Sequence, residues 1–180
     1  MGIDRLRFGT DGNGITSLVT FYGCPLRCRY CLNPQCHRKI SDSMHLQPKE
    51  VFGRTAIDEL YYLATGGGVT FGGGEPLLHS DFIIEVLSLG ANKWTVTIET
   101  SLNVPYKQVS KLLPHIKELI VDIKDVNPQI YKSYTQSDND KVLENLSLLA
   151  STGYANNVLV RIPLIKGYNT SRDVENSKNF

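Results

Sequence analysis

Three of the four cysteines, Cys24, Cys28 and Cys31, fall within eight residues in the order C-x3-C-x2-C. The loop follows directly on Leu18-Val19-Thr20-Phe21-Tyr22, an apolar, β-branched run that reads as a strand. A strand that delivers three thiols onto one loop builds a site for metal rather than for packing. Disulfide pairing fits poorly, because cysteines this close together pair badly and no signal peptide is visible. A structural zinc site normally takes four protein ligands as two separated pairs, and the second pair is missing. An iron–sulfur cluster on three thiolates fits best. It leaves one of four irons open to a substrate or cofactor, whereas electron-transfer clusters are usually held by four.

The 180 residues, 41% apolar and 21% charged with a net charge of +1, suffice for one domain with a real core. Near-neutral charge gives no argument for nucleic acid or an acidic membrane surface. No apolar run approaches the roughly 18 residues of a membrane helix. Met1-Gly2-Ile3-Asp4-Arg5 has neither an apolar signal core nor an arginine-rich transit character. Reduced cysteines therefore imply the cytoplasm, under low oxygen.

Strands are expected at 17–23, 69–74, 94–100, 119–124 and 157–165, alternating with helices. That order predicts an α/β fold of parallel strands with right-handed connections. Residues 1–16, with the turn-forming Asp11-Gly12-Asn13-Gly14-Ile15, read as a flexible lead-in. A helix starting near Pro48 should bury Val51, Phe52, Ala56, Leu60 and Leu63 and stop before Gly66. A second runs from Ser80 to Gly90 with Phe82, Ile83, Val86 and Leu87 inward, and a third lies between Pro105 and Pro114. A fourth spans 139–151 with Val142, Leu146 and Leu149 inward. Residues 38–46 read as polar and irregular, and Thr170 or Ser171 caps a polar tail, 171–180, that either starts a helix or is disordered.

Two further stretches carry chemistry. In Gly72-Gly73-Gly74-Glu75-Pro76 three glycines after a strand allow close backbone approach to a ligand, with a spacing that is neither a P-loop nor a Rossmann turn. Asp122 and Lys124 point the same way from one apolar strand, where opposite charges are costly unless paired or serving a ligand.

The cysteine motif with Tyr30 as its aromatic residue, and the Gly73-Gly74-Glu75-Pro76 loop, resemble the signatures of the radical S-adenosylmethionine (SAM) enzymes. Asp122-Ile123-Lys124 resembles the matching strand of the activating enzymes for glycyl-radical enzymes, and the likeness covers nearly all of residues 9–170. It implies a partial (β/α) barrel, five of its usual six βα units visible, with residues 1–170 as the core. Cys24, Cys28 and Cys31 would ligate a [4Fe–4S] cluster whose open iron chelates SAM. Reductive cleavage would give a 5′-deoxyadenosyl radical that takes a hydrogen atom from a backbone glycine of a partner enzyme. The resemblance places Tyr30, Cys31, Leu32, Gly73, Gly74, Glu75, Glu99, Thr100, Asp122, Ile123, Lys124 and Arg161 at SAM. In it Tyr30 lies beside the adenine, Glu75 holds the amino group, and Arg161 faces the carboxylate or ribose. Lys124 counts with the cysteines as catalytic, and Asp122 helps bind a monovalent cation. Glu99-Thr100 stands where the family has Asp-Thr; Gly12–Thr16 corresponds to a target-receiving segment, with Thr16 at its arginine; and Gly167–Thr170 resembles a family turn, with Lys166 for proline.

A flavodoxin or ferredoxin donor and a monomer are also implied. A fourth thiolate would block the open iron, so Cys36 is expected to be a free or partly buried thiol and His37 a loop residue. The alternatives are an activase of anaerobic ribonucleotide reductase, a truncated protein that binds a cluster or partner without turnover, and a zinc-binding interaction module.

Overall fold

The computed structural model describes residues 2–38 and 44–180, so most of the stretch expected to be irregular at 38–46 lies outside the described residues. Six strands form one sheet in chain order: β1 (Gly2–Phe8), β2 (Ile15–Thr20), β3 (Gly68–Gly72), β4 (Thr95–Thr100), β5 (Glu118–Asp122) and β6 (Val158–Arg161). Strands β2 to β6 are parallel, as the alternating pattern requires, and β1 adds an antiparallel edge. That edge was not expected. Its sequence carries Asp4, Arg5 and Arg7 among few apolar residues, and its ladder breaks between Asp4 and Arg7, where Leu6 takes a φ of 55°.

The first expected helix is two: α1 (Pro48–Ala56) and α2 (Glu59–Thr65). Asp58 breaks it by turning inward, where its carboxylate accepts from Arg5 Nε at 2.7 Å, Arg5 Nη2 at 2.6 Å and Ser17 Oγ at 3.3 Å. The break shifts the helical phase. Leu60 and Leu63, expected inward, are 76% and 54% exposed, and Tyr62 is buried instead, donating to Ser17 Oγ at 2.7 Å. Helices α3 (Ser80–Ser88), α4 (Tyr106–Leu112) and α6 (Asp140–Ser151) lie where the periodicity put them. Helix α5 (Pro128–Thr135) was missed, although Asn127 caps Gln129 and Ile130 and Pro128 follows at the first helical position. The polar tail forms α7 (Ser171–Lys178), capped by Thr170 with Asp173.

One sheet face is apolar: Val19, Val69, Phe71, Val96, Ile98, Leu119 and Val121 pack with the buried side chains of the helices. The other carries Thr70, Thr97, Glu99, Glu118 and Arg161. The lead-in loop at 9–14 is not loose but laid across this polar face. Thr70 donates to the Asp11 carbonyl, Asn13 reaches Glu118 at 2.6 Å, and Arg161 donates to the Thr10 carbonyl at 2.6 Å. Glycine is required within it, because a Cβ at Gly14 would stand 2.6 Å from the Thr65 carbonyl oxygen.

Candidate active site

The cysteine loop leaves the C-terminal end of β2 and is fastened on three sides. Gly23 donates to the Cys36 carbonyl at 2.9 Å, closing the loop on itself. The glycine loop after β3 donates from Gly74 to Phe21 and from Glu75 to Gly23, at 3.2 and 2.7 Å. The end of α5 accepts from Arg27 through Thr135 at 2.8 Å and from Arg29 through Tyr134 at 3.1 Å, while Ser137 donates to the Pro25 carbonyl. The glycines therefore serve loop-to-loop contact. Gly73 sits at a φ of +87°, and a Cβ on Gly74 would lie 2.3 Å from the Gly23 oxygen.

All four cysteines are free; Cys24, Cys28 and Cys31 are half-buried and Cys36 is buried. The charge of Glu75 acts on the Cys24 thiol, and Lys124 and Asp122 act in opposite senses on the Cys28 thiol. Burial pushes Cys24 up to about 12 and raises Cys28, with Lys124 opposing. Such thiols stay protonated at neutral pH until a soft metal displaces the proton. Three half-buried thiols on one pinned loop have the donor chemistry of a cluster held by three thiolates. Burial, and then contact with Cys31, push Cys36 up to about 11. His37 closes a 3-10 turn at Pro34–His37 and pairs with Arg27; burial and that guanidinium lower its pKa.

Glu75 turns inward. Its carboxylate is fully buried and accepts from Thr100 Oγ1 at 2.6 Å, Ser101 Oγ at 2.7 Å, Ser101 N at 3.0 Å and Leu77 N at 3.3 Å. With these bonds directed into the protein, the group ties the glycine loop to the end of β4. Burial raises its carboxyl while the Thr100 and Ser101 donors pull the other way. The segment it grips is held in turn by Asn145, whose Nδ2 donates to the Leu102 and Val104 carbonyls while Leu102 adopts a φ of 57°.

The remaining charges pair on the polar face of the sheet. Arg161 meets Glu99 at 2.7 Å, and Lys124 meets Asp122 at 3.2 Å. Burial and then Asp122 raise the Glu99 carboxyl, with Arg161 opposing. Tyr30 contacts Tyr168 edge-on at 5.9 Å and Tyr134 at 6.3 Å, and it remains 60% exposed. Leu32 is almost fully exposed, whereas the Ile123 side chain is buried in the core and its amide donates to the Arg161 carbonyl. Tyr134, Asn145 and Ser101 escaped the sequence reading. Asn127-Pro128 was the local signal for the helix that carries Tyr134. Behind the site, Asn169 links the turn after β6 to the one after β5 by donating to Asp125 at 3.2 Å and to the Pro163 carbonyl.

A parallel sheet whose strand ends present three thiols, a glycine turn and paired charges defines a cluster-binding α/β enzyme. The family model for the radical SAM superfamily matches residues 18–178. The chain is 30% identical to the (2S)-3-sulfopropanediol dehydratase activating enzyme of Klebsiella oxytoca, over 94% of this chain and 73% of that protein. It is 32% identical to the pyruvate formate-lyase 2-activating enzyme of Escherichia coli (strain K12), over 91% of this chain and 65% of that one. A domain of the pyruvate-formate lyase-activating enzyme from Bacteroides vulgatus ATCC 8482 superposes with a TM-score of 0.54 at 30% identity, over 63% of this chain and 70% of that chain. Streptococcus suis SuiB bound to S-adenosylmethionine superposes at 0.62 with 16% identity, over 90% of this chain and 36% of that chain, a likeness of fold alone. The chain belongs to the radical SAM superfamily, among the activating enzymes of glycyl-radical enzymes. That membership implies a [4Fe–4S] cluster and SAM.

Proposed function

We propose that this chain activates a glycyl-radical enzyme, with Cys24, Cys28 and Cys31 holding the cluster and leaving one iron for SAM. The chemistry that a bound cluster would supply is one-electron cleavage of SAM to methionine and a 5′-deoxyadenosyl radical, which would take a hydrogen atom from a glycine of the partner. The protein contributes position and charge. Lys124 and Arg161 would supply positive charge for the SAM carboxylate, while Glu99 and Asp122 would supply negative charge for the SAM ammonium and a monovalent cation. Exposed Tyr30, braced by Tyr134 and Tyr168, offers an aromatic face to the adenine. Gly73, Gly74, Thr100, Leu32 and Ile123 line the cofactor, with Ile123 acting through its backbone. Glu75 is a positioning residue that holds the glycine loop in place. A flavodoxin or ferredoxin donor, a monomeric state and a cytoplasmic setting low in oxygen complete the reading.

The observation that carries it is the meeting of the cysteine loop with the glycine turn, where Gly74 N donates to Phe21 at 3.2 Å and Glu75 N to Gly23 at 2.7 Å. The test is anaerobic reconstitution with iron and sulfide. Wild type should gain an electronic and EPR spectrum that changes on adding SAM and should release 5′-deoxyadenosine when reduced, while Cys28→Ala should not. A reconstituted cluster indifferent to SAM would overturn the proposal.

A further inference from the structure

Cys36 and His37 have no part in that reading, yet they lie against Cys31. The Sγ atoms of Cys31 and Cys36 and a ring nitrogen of His37 all lie within 4.8 Å of one another. Among the described residues this is the one group of such donors gathered so tightly. We propose that Cys31, Cys36 and His37 form a site for a single soft divalent cation of the zinc class, occupied when the cysteine loop carries no cluster.

The donor chemistry selects the ion. Two thiolates and an imidazole favour zinc over the hard, oxygen-seeking cations. Zinc bonds of about 2.3 Å to sulfur and about 2.0 Å to nitrogen span donors about 3.5 Å apart in a tetrahedron, so a small side-chain movement closes the site. The frame is already built. Cys36 N donates to the Asn33 carbonyl at 3.0 Å and Cys36 O accepts from Gly23 at 2.9 Å, which sets the turn beneath Cys31. Arg27, which meets His37 Nδ1, also donates to the carbonyls of Cys24 and Leu26, so it keeps partners when the imidazole turns to a metal. Binding releases the two thiol protons to solvent, and water completes the fourth position. Cys31 belongs to both donor sets, so zinc and cluster exclude each other.

The test uses the full chain, cluster-free and anaerobic, titrated with Co2+ and then Zn2+. Wild type should take up one equivalent, with cobalt charge-transfer intensity for two thiolates rather than three. Losing a partner behind a ligand already costs about 10–100-fold in affinity, so Cys36→Ser and His37→Gln should each weaken binding by at least about 10-fold. Cys24→Ala should change it by less than about threefold, since Cys24 lies outside the donor set. Equal affinity in both Cys36→Ser and His37→Gln, or a Cys24→Ala loss as large as theirs, would overturn the site. His37→Gln sits on the surface side of the turn, so it serves if Cys36→Ser fails to fold, as judged by near-UV circular dichroism. The site stands independently of the activating-enzyme reading: a chain that binds zinc as described but never assembles a cluster would refute only the latter.

Discussion

Replacing Glu75 by glutamine separates a positioning role from a SAM-binding one. Each carboxylate oxygen accepts from one backbone N–H, Leu77 on Oε1 and Ser101 on Oε2, besides a hydroxyl. The Thr100 and Ser101 hydroxyls can rotate to accept from an amide, but a backbone N–H cannot. Whichever way the introduced side-chain amide is turned, its NH2 group therefore confronts a buried backbone donor. An unsatisfied buried donor costs about 1–3 kcal/mol, so Glu75→Gln should destabilise the chain by about 1–3 kcal/mol. With a urea slope of about 2 kcal/mol/M, the unfolding midpoint should fall by about 0.5–1.5 M in the anaerobic, cluster-free chain. SAM binding to reconstituted protein should weaken only as far as the loop loosens, and a stabilising background should restore it. An unchanged midpoint accompanied by a tenfold loss of SAM affinity would refute the reasoning and return the carboxylate to the cofactor.

Three further outcomes follow from the same structure. Asn145→Leu strips the side-chain donor from the buried Val104 carbonyl, while the Leu102 carbonyl keeps Val104 N at 2.8 Å, and should cost about 1–3 kcal/mol in chemical denaturation; a neutral result would show that water reaches the Val104 oxygen. Gly74→Ala forces a Cβ to within 2.3 Å of the Gly23 oxygen, a backbone atom with little room to give, so iron content after reconstitution should drop well below wild type while Gly153→Ala, with nothing within 4 Å, retains it. Arg5 lowers the Asp58 pKa, and a depressed folded value stabilises the fold above the unfolded carboxylate pKa of about 3.9. That contribution disappears as pH falls through the folded value, so the stability gap between wild type and Asp58→Asn should be full at neutral pH and shrink in acid. A gap that stays constant down to low pH would count against the pair.

The chemistry was legible in short stretches because three thiols, a glycine turn and an Asp-x-Lys strand each declare themselves within a dozen residues. The parallel βα order was equally legible, since apolar runs of period two and faces of period 3.6 need only local neighbours. Distance in the chain hid the rest. Asp58 breaks a helix because Arg5, 53 residues earlier, draws it inward, and that single break moves Leu60 and Leu63 to solvent and Tyr62 to the core. Glu75 looks like a ligand by its motif, yet Thr100 and Ser101 take up its carboxylate with Leu77, and Arg161 finds Glu99 only once β4 and β6 share a sheet. Spacing along the chain thus determined which groups this protein brings to its site. The tertiary structure decided which of them remain available there, because a buried polar group must be satisfied by whatever the fold sets beside it.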